Sequence, residues 1–198
     1  MALDALRTGF SRLFRSTDRS PRPLTLHLGS QKTGTTAAQR WCRQNKAELA
    51  THGIATLTTQ PDIRKALGGW YEVKNPGSGE ALHTLIQGEY GEGVNGVFYS
   101  SESNVGTMFA PPEPALYPYF TENIQAIARA TTEFDRLVQF TVRSHVGFLE
   151  SSYIQKLKQG TAMPFEDFHS ALDPEVSWVP IVQDLVDAFG AENVVIYD

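Results

Sequence analysis

Residues 24–36 read Leu-Thr-Leu-His-Leu-Gly-Ser-Gln-Lys-Thr-Gly-Thr-Thr, and this stretch decides the fold. The first five residues form a short apolar run bounded by turn residues, a pattern typical of a buried strand. After the glycines, the apolar positions of residues 34–50 fall on one face of a helix, which Gly53 would end. A strand, a glycine-containing loop and a helix in direct succession begin a parallel strand–helix–strand unit.

The rest of the chain continues this alternation of strands and helices. Further strands are predicted at residues 96–100, 137–142 and 193–197. Helices are predicted at residues 63–67, 80–87, 120–130, 146–158, 165–171 and 179–189. Because no hairpin signal joins successive strands, we expect right-handed crossovers. The predicted fold over residues 23–198 is therefore α/β: a P-loop-containing, three-layer domain with a central, mostly parallel sheet flanked by helices.

Composition narrows the possible functions. The 198 residues are 41% hydrophobic and 20% charged, ordinary values for one compact globular domain. A net charge of -5 argues against a nucleic-acid-binding protein, and no apolar run reaches the length of a membrane span. The single cysteine, Cys42, excludes an internal disulfide and a cysteine-rich metal site, and it fits a reducing cytoplasm.

Residues 1–22 differ from the rest of the chain. Five arginines and two aspartates give this segment a net charge of +3, and leucines and phenylalanines recur in it at helical spacing. One interpretation is an amphipathic helix that binds a membrane surface or a partner. The other, which we favour, is a flexible basic extension, because chain termini are often poorly ordered.

The loop after the first predicted strand has the features of an anion site. Glycines allow the backbone to approach a ligand closely, and a helix N-terminus offers unpaired N–H groups with a partial positive charge. Lys32 adds a full charge, while Thr35 and Thr36 add hydroxyl groups. An ordinary capped turn would explain Thr35 but not a lysine inside the loop. The sequence therefore predicts phosphate binding here.

The lysine position separates two kinds of phosphate loop. In the ATP- and GTP-binding loop the lysine directly follows the second glycine, whereas Lys32 precedes Gly34 by two positions. The order Lys-Thr-Gly-Thr-Thr resembles instead the 5′-phosphosulfate loop of sulfotransferases that use 3′-phosphoadenosine 5′-phosphosulfate (PAPS). That resemblance implies that Lys32 contacts the bridging oxygen and the transferring sulfuryl group. Residues 34–36 would hold the 5′-phosphate, with Gln31 and Thr33 in the same cofactor-binding loop.

A second pair of residues supports this resemblance. Arg143 ends a predicted strand, and Ser151 lies eight residues later on the following helix. An arginine at the carboxyl end of a parallel strand faces the crevice where α/β proteins bind ligands, and its guanidinium can grip a phosphate through two hydrogen bonds. The pair resembles the Arg and Ser that hold the 3′-phosphate of PAPS in sulfotransferases. The segment around His52-Gly53-Ile54 is similar to the start of the next strand in bacterial carbohydrate-type members.

The implied reaction needs a base that takes a proton from the acceptor hydroxyl. Glu102 follows the strand at residues 96–100, in a position similar to the glutamate base of some carbohydrate sulfotransferases. A solvated or helix-capping glutamate is an equally good interpretation. His145, two residues after Arg143, is the second candidate, although a hydrogen-bonded loop histidine is common there. His27, inside the first strand, is interpreted as a hydrogen-bonded core histidine.

The resemblance has three departures. Gln31 stands where the family usually has proline, so we expect a less rigid loop. Ala37 stands where many members have a tryptophan against the adenine. After Asp198 there is no basic, glycine-containing segment of the kind that closes over the 3′-phosphate in the family, so a C-terminally truncated domain is expected.

The sequence thus predicts an enzyme that moves a sulfuryl group from PAPS to a hydroxyl of a carbohydrate or other small acceptor. No metal is expected, because a sulfuryl group carries less negative charge than a phosphoryl group and a lysine with a helix N-terminus can stabilise it. Two alternatives are a magnesium-dependent P-loop kinase or NTPase and a non-catalytic nucleotide-binding module. The acceptor pocket is expected within residues 58–92 and 101–120, whose aromatic side chains could either stack on sugar rings or belong to the core: Trp70, Tyr71, Tyr90, Phe109, Tyr117 and Tyr119.

Overall fold

The computed structural model describes residues 22–58, 79–109, 115–160, 163–171 and 176–198. These residues contain five strands that pair in one all-parallel sheet with the order β2-β3-β1-β4-β5. The strands are β1 (Arg22–His27), β2 (Ile54–Thr58), β3 (Gly96–Ser100), β4 (Phe134–Thr141) and β5 (Val194–Tyr197). The predicted parallel α/β sheet is therefore confirmed.

Helices occupy most of the segments between the strands. The α-helices are α1 (Thr35–Gln44), α2 (Lys46–Thr51), α3 (Glu80–Glu89), α4 (Phe120–Ala130), α5 (His145–Lys158), α6 (Phe165–Ser170) and α7 (Val179–Phe189). Two short 3-10 helices cover Glu102–Val105 and Ala191–Asn193. In the part of the chain that the structure describes, no helix combines the length and apolar character needed to cross a membrane.

The helices cover both faces of the sheet. Leu26 of β1 and Tyr99 of β3 are paired in register and lie in the main hydrophobic core, which also includes side chains from α3, α4 and α7. Phe98, one residue earlier on β3, belongs to a second cluster with Cys42 and residues near β2. Since successive side chains of a strand point to opposite faces, the two clusters lie on opposite sides of the sheet. The result is three layers.

The strand order creates a crevice above β1 and β4. The chain leaves β1 towards β2 at one edge of the sheet, and it leaves β4 towards β5 at the other edge. Ligands of α/β proteins bind where neighbouring connections diverge in this way, at the carboxyl ends of the strands. The loop after β1 runs beside the end of β4, because the Ser30 backbone N–H donates to the Thr141 carbonyl at 3.1 Å.

Several predicted boundaries differ from the structure. The helix expected at residues 34–50 is two helices, because Asn45 leaves the helical conformation and its side-chain amide donates to the Trp41 carbonyl at 2.8 Å. Asparagine competes in this way with backbone hydrogen bonds. β4 begins at Phe134, three residues before the prediction. The helix predicted at residues 63–67 lies outside the described residues.

Gly53 offers a direct test of the turn that leads into β2. Its φ is +72°, and a Cβ atom there would lie 2.9 Å from the Gly93 carbonyl oxygen. We expect Gly53→Ala to lower the free energy of unfolding by about 1–3 kcal/mol in urea denaturation, because it combines left-handed strain with a backbone clash. The matched control is Gly88→Ala in α3, where a Cβ meets nothing within 4 Å and alanine should add about 0.5 kcal/mol. Equal stability of the two variants would contradict this account.

Candidate functional site

The loop between β1 and α1 presents a row of unpaired backbone donors. Lys32 and Gly34 both have left-handed φ angles, 70° and 88°, and Gly34 caps the N-terminus of α1. No described residue accepts a hydrogen bond from the backbone N–H groups of residues 32–36. Free N–H groups in a turn that leads into a helix form a concave, electropositive site for an anion. The backbone of this loop is therefore compatible with the predicted anion binding.

Arg143 supports the strained part of this loop. A left-handed conformation costs a non-glycine residue on the order of 1–3 kcal/mol, and Lys32 is held in it by neighbours. The Arg143 Nη1 atom donates to the Lys32 carbonyl at 3.0 Å, and the Thr33 hydroxyl donates to the Ser30 carbonyl at 2.6 Å. Arg143 therefore lies directly beside the loop, as the sequence suggested, and one of its nitrogens is used to hold the loop.

Gln31 ties the loop to the segments that follow β3. Its backbone N–H donates to the Tyr117 hydroxyl at 3.0 Å, and that hydroxyl donates back to Gln31 Oε1. The Gln31 Nε2 atom donates to the Gly106 carbonyl at 3.0 Å and to the Glu102 carbonyl at 3.4 Å. Four hydrogen bonds thus restrain the position where we expected a less rigid loop. The Gln31 side chain uses both its amide group and its carbonyl oxygen in these contacts.

Tyr117 remains a protonated phenol in this contact. It is 2% exposed, and burial raises its pKa. The hydrogen bond from the Gln31 backbone acts in the opposite direction, while the charge of Glu102 adds to the increase. A phenol both donates and accepts, which its two contacts with Gln31 require. Tyr117 therefore belongs to the support of the loop and not to an acceptor pocket.

A polar pocket of about 570 Å³ opens beside the loop. Three segments form its walls: the loop with the start of α1, the 3-10 helix and the residues after it, and the C-terminal half of α5. The lining residues are Gln31, Lys32, Gly34, Thr35, Thr36, Glu102, Ser103, Thr107, Met108, Phe109, Gln155, Lys156 and Gln159. Predicted residues from two separate motifs, the Lys32 loop and Glu102, thus meet in one cavity.

The α5 wall was not anticipated from the sequence. Gln155, Lys156 and Gln159 line the pocket, and the Lys32 Nζ atom donates to Gln155 Oε1 at 2.9 Å. Gln155 and Gln159, the C-cap of α5, are four residues apart and therefore lie on one side of the helix, and Lys156 follows Gln155 directly. A polar side of the predicted helix at residues 146–158 was therefore the signal that could have identified them. Lys156 adds a second positive charge to the pocket.

Glu102 lies at the start of the 3-10 helix that follows β3. Its carboxylate accepts a hydrogen bond from the Gln39 Nε2 atom at 2.6 Å. Glu102 is partly buried and lines the same pocket as Lys32. Glu102 is the acidic residue in the first turn of this 3-10 helix and it also lines the cavity, so its position agrees with a helix-end glutamate and with a base.

The second predicted anchor is only partly assembled. A Cβ atom at Gly147 would lie 3.1 Å from the Arg143 Nε atom, so the guanidinium rests on the first turn of α5. Ser151 is one turn further along that helix than Gly147 and therefore on the same side. Neither Arg143 nor Ser151 is among the pocket-lining residues. Arg143 lies next to the loop, where it bonds the Lys32 carbonyl.

His145 and several aromatic residues lie away from the pocket lining. His145 is exposed and packs on Trp178, with ring centroids 6.0 Å apart. The Tyr90 hydroxyl donates to the Pro23 carbonyl, and the ring stacks on Phe134. Pro23 and Phe134 stand at the amino ends of their strands. Tyr90 therefore lies at the end of the strands opposite the loop, which follows the carboxyl end of β1. Phe109 lines the pocket, Tyr119 does not, and residues 70 and 71 lie outside the described residues.

His27 lies at the end of β1, directly before the loop. Its Nδ1 atom is 2.8 Å from the Ser100 hydroxyl oxygen, and its ring stacks on Phe98. Burial lowers the pKa of His27, and the nearby charge of Glu102 opposes that shift. These contacts agree with the interpretation of a hydrogen-bonded core histidine.

Comparison with known proteins identifies no relative: no family model, no curated protein and no solved structure matches the chain. Within the described ranges, no three His, Cys, Asp or Glu side chains are grouped so that they could hold a metal ion.

The Tyr117 contact predicts a measurable loss of stability. Tyr117→Phe would leave both the Gln31 N–H and its Oε1 atom without a partner, so we expect the free energy of unfolding to fall by about 1–3 kcal/mol. The matched control is Tyr197→Phe in β5, since no described residue bonds the Tyr197 hydroxyl. Urea denaturation of both variants measures the difference. A Tyr117→Phe protein as stable as the control would show that the contact does not hold the loop.

The lowered pKa of His27 predicts a loss of stability in acid. The unfolded chain binds a proton to this histidine more readily than the folded chain, so acidification favours unfolding. The stabilising effect is complete above the ordinary pKa of 6.5 and declines as the pH falls below it. His27→Asn should therefore reduce the drop in unfolding free energy between pH 8 and pH 5. An equally steep drop in wild type and variant would contradict this prediction.

Proposed function

We propose that this protein is a PAPS-dependent sulfotransferase that acts on a hydroxyl of a carbohydrate or another small acceptor. The observation that carries the proposal is the arrangement around Lys32. Its loop offers five unpaired backbone N–H groups, its carbonyl is bonded by Arg143, and Glu102 lines the pocket beside it. A candidate donor-binding loop and a candidate base thus line one cavity, and Arg143, a candidate phosphate anchor, lies beside the loop outside that cavity.

The loop suits the 5′ end of the donor. The backbone N–H groups and the positive end of α1 would bind the 5′-phosphate, with hydroxyl donors from Thr35 and Thr36. The Lys32 ammonium lies 2.9 Å from Gln155 Oε1 in the free protein. In the complex it would move to the bridging oxygen, where negative charge develops as the bond to sulfur breaks.

Arg143 and Ser151 suit the 3′-phosphate of the same nucleotide. The guanidinium bonds the loop through one nitrogen, which leaves further N–H groups of its fork for a phosphate. Ser151 is on the same side of α5 as the turn on which Arg143 rests. A phosphate bound by both residues would lie beside the loop, outside the pocket that holds the acceptor.

Glu102 suits the role of the base. The acceptor hydroxyl oxygen would attack sulfur and lose its proton to the Glu102 carboxylate, while the bond between sulfur and the bridging oxygen breaks. The products are a sulfate ester and 3′-phosphoadenosine 5′-phosphate. The two lysines and the side-chain amides of the pocket wall can bind a polar acceptor, because an amide both donates and accepts hydrogen bonds. The chain has a single cysteine and therefore no internal disulfide, which fits a reducing compartment. For this reason we propose that the activity is cytoplasmic.

Calorimetric titration with 3′-phosphoadenosine 5′-phosphate tests the donor site without knowledge of the acceptor. We expect Lys32→Ala and Arg143→Ala each to weaken binding about 10- to 100-fold, the size of a lost charge-assisted hydrogen bond. Lys46→Ala, which removes an exposed lysine at the start of α2, is the matched control and should bind like wild type. Circular dichroism checks that each variant is folded.

Three outcomes would contradict the proposal in different ways. Failure of the wild-type chain to bind the nucleotide would remove the donor site. Tighter binding of ATP with magnesium would favour a kinase or NTPase. Nucleotide binding without conversion of PAPS to 3′-phosphoadenosine 5′-phosphate, either with hydroxyl acceptors or with water, would favour a non-catalytic module.

A further inference from the structure

A buried glutamine links the helix of the phosphate loop to the candidate base. Gln39 lies on α1, one turn after Thr35, and is 5% exposed. Its Nε2 atom donates to Glu102 Oε2 at 2.6 Å. The two residues are 63 positions apart in the sequence, and nothing in the sequence pattern singles Gln39 out from the other polar residues of the helix.

This hydrogen bond distinguishes the two oxygens of the Glu102 carboxylate. Oε2 is engaged by the amide of Gln39, whereas no described residue donates a hydrogen bond to Oε1. Glu102 also lines the pocket. A carboxylate fixed through one oxygen keeps the other in a defined direction, and that oxygen is then the one available to a hydroxyl in the pocket.

The turn that carries Glu102 is also attached to the loop through its main chain. The Gln31 Nε2 atom donates to the carbonyls of Glu102 and Gly106. One glutamine in the loop and one on the helix behind it therefore hold the same turn. Gln31 and Gln39 both belong to the loop and helix that would bind the sulfuryl donor. The position of the Glu102 carboxylate is therefore fixed relative to that donor.

We propose that Gln39 is a positioning residue that orients the Glu102 carboxylate towards the acceptor hydroxyl and fixes it relative to the phosphate loop. The assignment rests on the proposed function. An amide suits this role because it donates a hydrogen bond to the carboxylate without titrating. A lysine or a histidine in its place would carry or exchange a proton and would compete for the proton of the acceptor.

Other charged groups near the carboxylate stay constant in the test. His27 on β1 lies close enough for the charge of Glu102 to act on it. Lys32 of the loop and Lys156 of α5 line the same pocket. None of the three is altered by a substitution at residue 39, so a change in the NMR signal of the Glu102 carboxyl group reports on the glutamine contact.

The test compares Gln39→Met, Gln39→Glu and wild type in the full chain. Methionine keeps the length of the side chain but removes the donor, so the ¹³C signal of the Glu102 carboxyl group at neutral pH should move from its wild-type position, because the carboxylate loses a hydrogen bond. Glutamate should also move this signal, since an ionised carboxylate cannot donate to Glu102 as the amide does. NMR spectra of the ¹³C-labelled glutamate carboxyl groups at fixed pH, with the Glu102 signal assigned by its loss in Glu102→Gln, measure both changes. Gln44→Met, at the exposed end of the same helix, should leave the signal unchanged.

Turnover is measured in parallel as sulfate released from PAPS with water as acceptor. We expect Gln39→Met to lower kcat about 10- to 100-fold, because the carboxylate loses its fixed direction. Binding of 3′-phosphoadenosine 5′-phosphate should stay within about twofold of wild type, since the donor loop is intact. Glu102→Gln should bind the nucleotide equally well and show no turnover.

The outcomes separate this inference from the proposed function. An unchanged Glu102 carboxyl signal in both Gln39 variants would overturn the positioning role and leave the donor site untouched. A moved signal with an unchanged kcat would also overturn it, because the contact would then be structural only. A wild-type chain that fails to bind the nucleotide would overturn the proposed function, and with it the catalytic purpose of the contact, even if the signal moves.

Discussion

The site depends on one strained turn, in which Lys32 is held with a left-handed backbone between β1 and α1. The strain, on the order of 1–3 kcal/mol, persists because neighbours fix the turn from both sides. Arg143, which follows β4, bonds the Lys32 carbonyl, and Tyr117, which itself has a φ of 51°, bonds the residue before Lys32. The turn leaves the N–H groups of residues 32–36 without partners among the described residues. Anion binding would satisfy those groups, so the strain and the proposed function have the same origin.

The strand order explains why three separate segments meet at this turn. Lys32 follows β1, Glu102 follows β3 and Arg143 follows β4, and β1 lies between the other two strands. The candidate base and the second phosphate anchor therefore stand on opposite sides of the lysine. Parallel strands place all three segments at the same edge of the sheet. A donor that lies across this edge would have its reacting group near the base and its remaining phosphate near the arginine.

The sequence predicted those features that depend on local pattern. The alternation of apolar runs and helical periods was enough for the parallel sheet, and the glycines around Lys32 were enough for the loop. Contacts between distant residues left no such pattern. Gln31 and Tyr117 are 86 residues apart, and nothing in the sequence aligns the two. Tyr90 was grouped with the other aromatic residues that could line the pocket, because a sequence does not show at which end of the strands a side chain lies. The break between the two helices at Asn45 depends on a single side-chain hydrogen bond. Its energy is similar to the helix propensity that opposes it, so the sequence pattern does not predict the break.

The departure at Gln31 shows how the same loop can be fixed by different means. A proline restrains its own φ and has no N–H group, so it would stiffen the turn locally and give nothing to Tyr117. Glutamine leaves the backbone freer but supplies one main-chain donor, one side-chain acceptor and one side-chain amide that reach Tyr117, Gly106 and Glu102. The restraint therefore comes from the segment after β3, which also carries the candidate base. In this chain Gln31 is bonded both within the segment that supports the Lys32 loop and to the turn that carries Glu102, so the geometry of the loop and that of the turn are coupled.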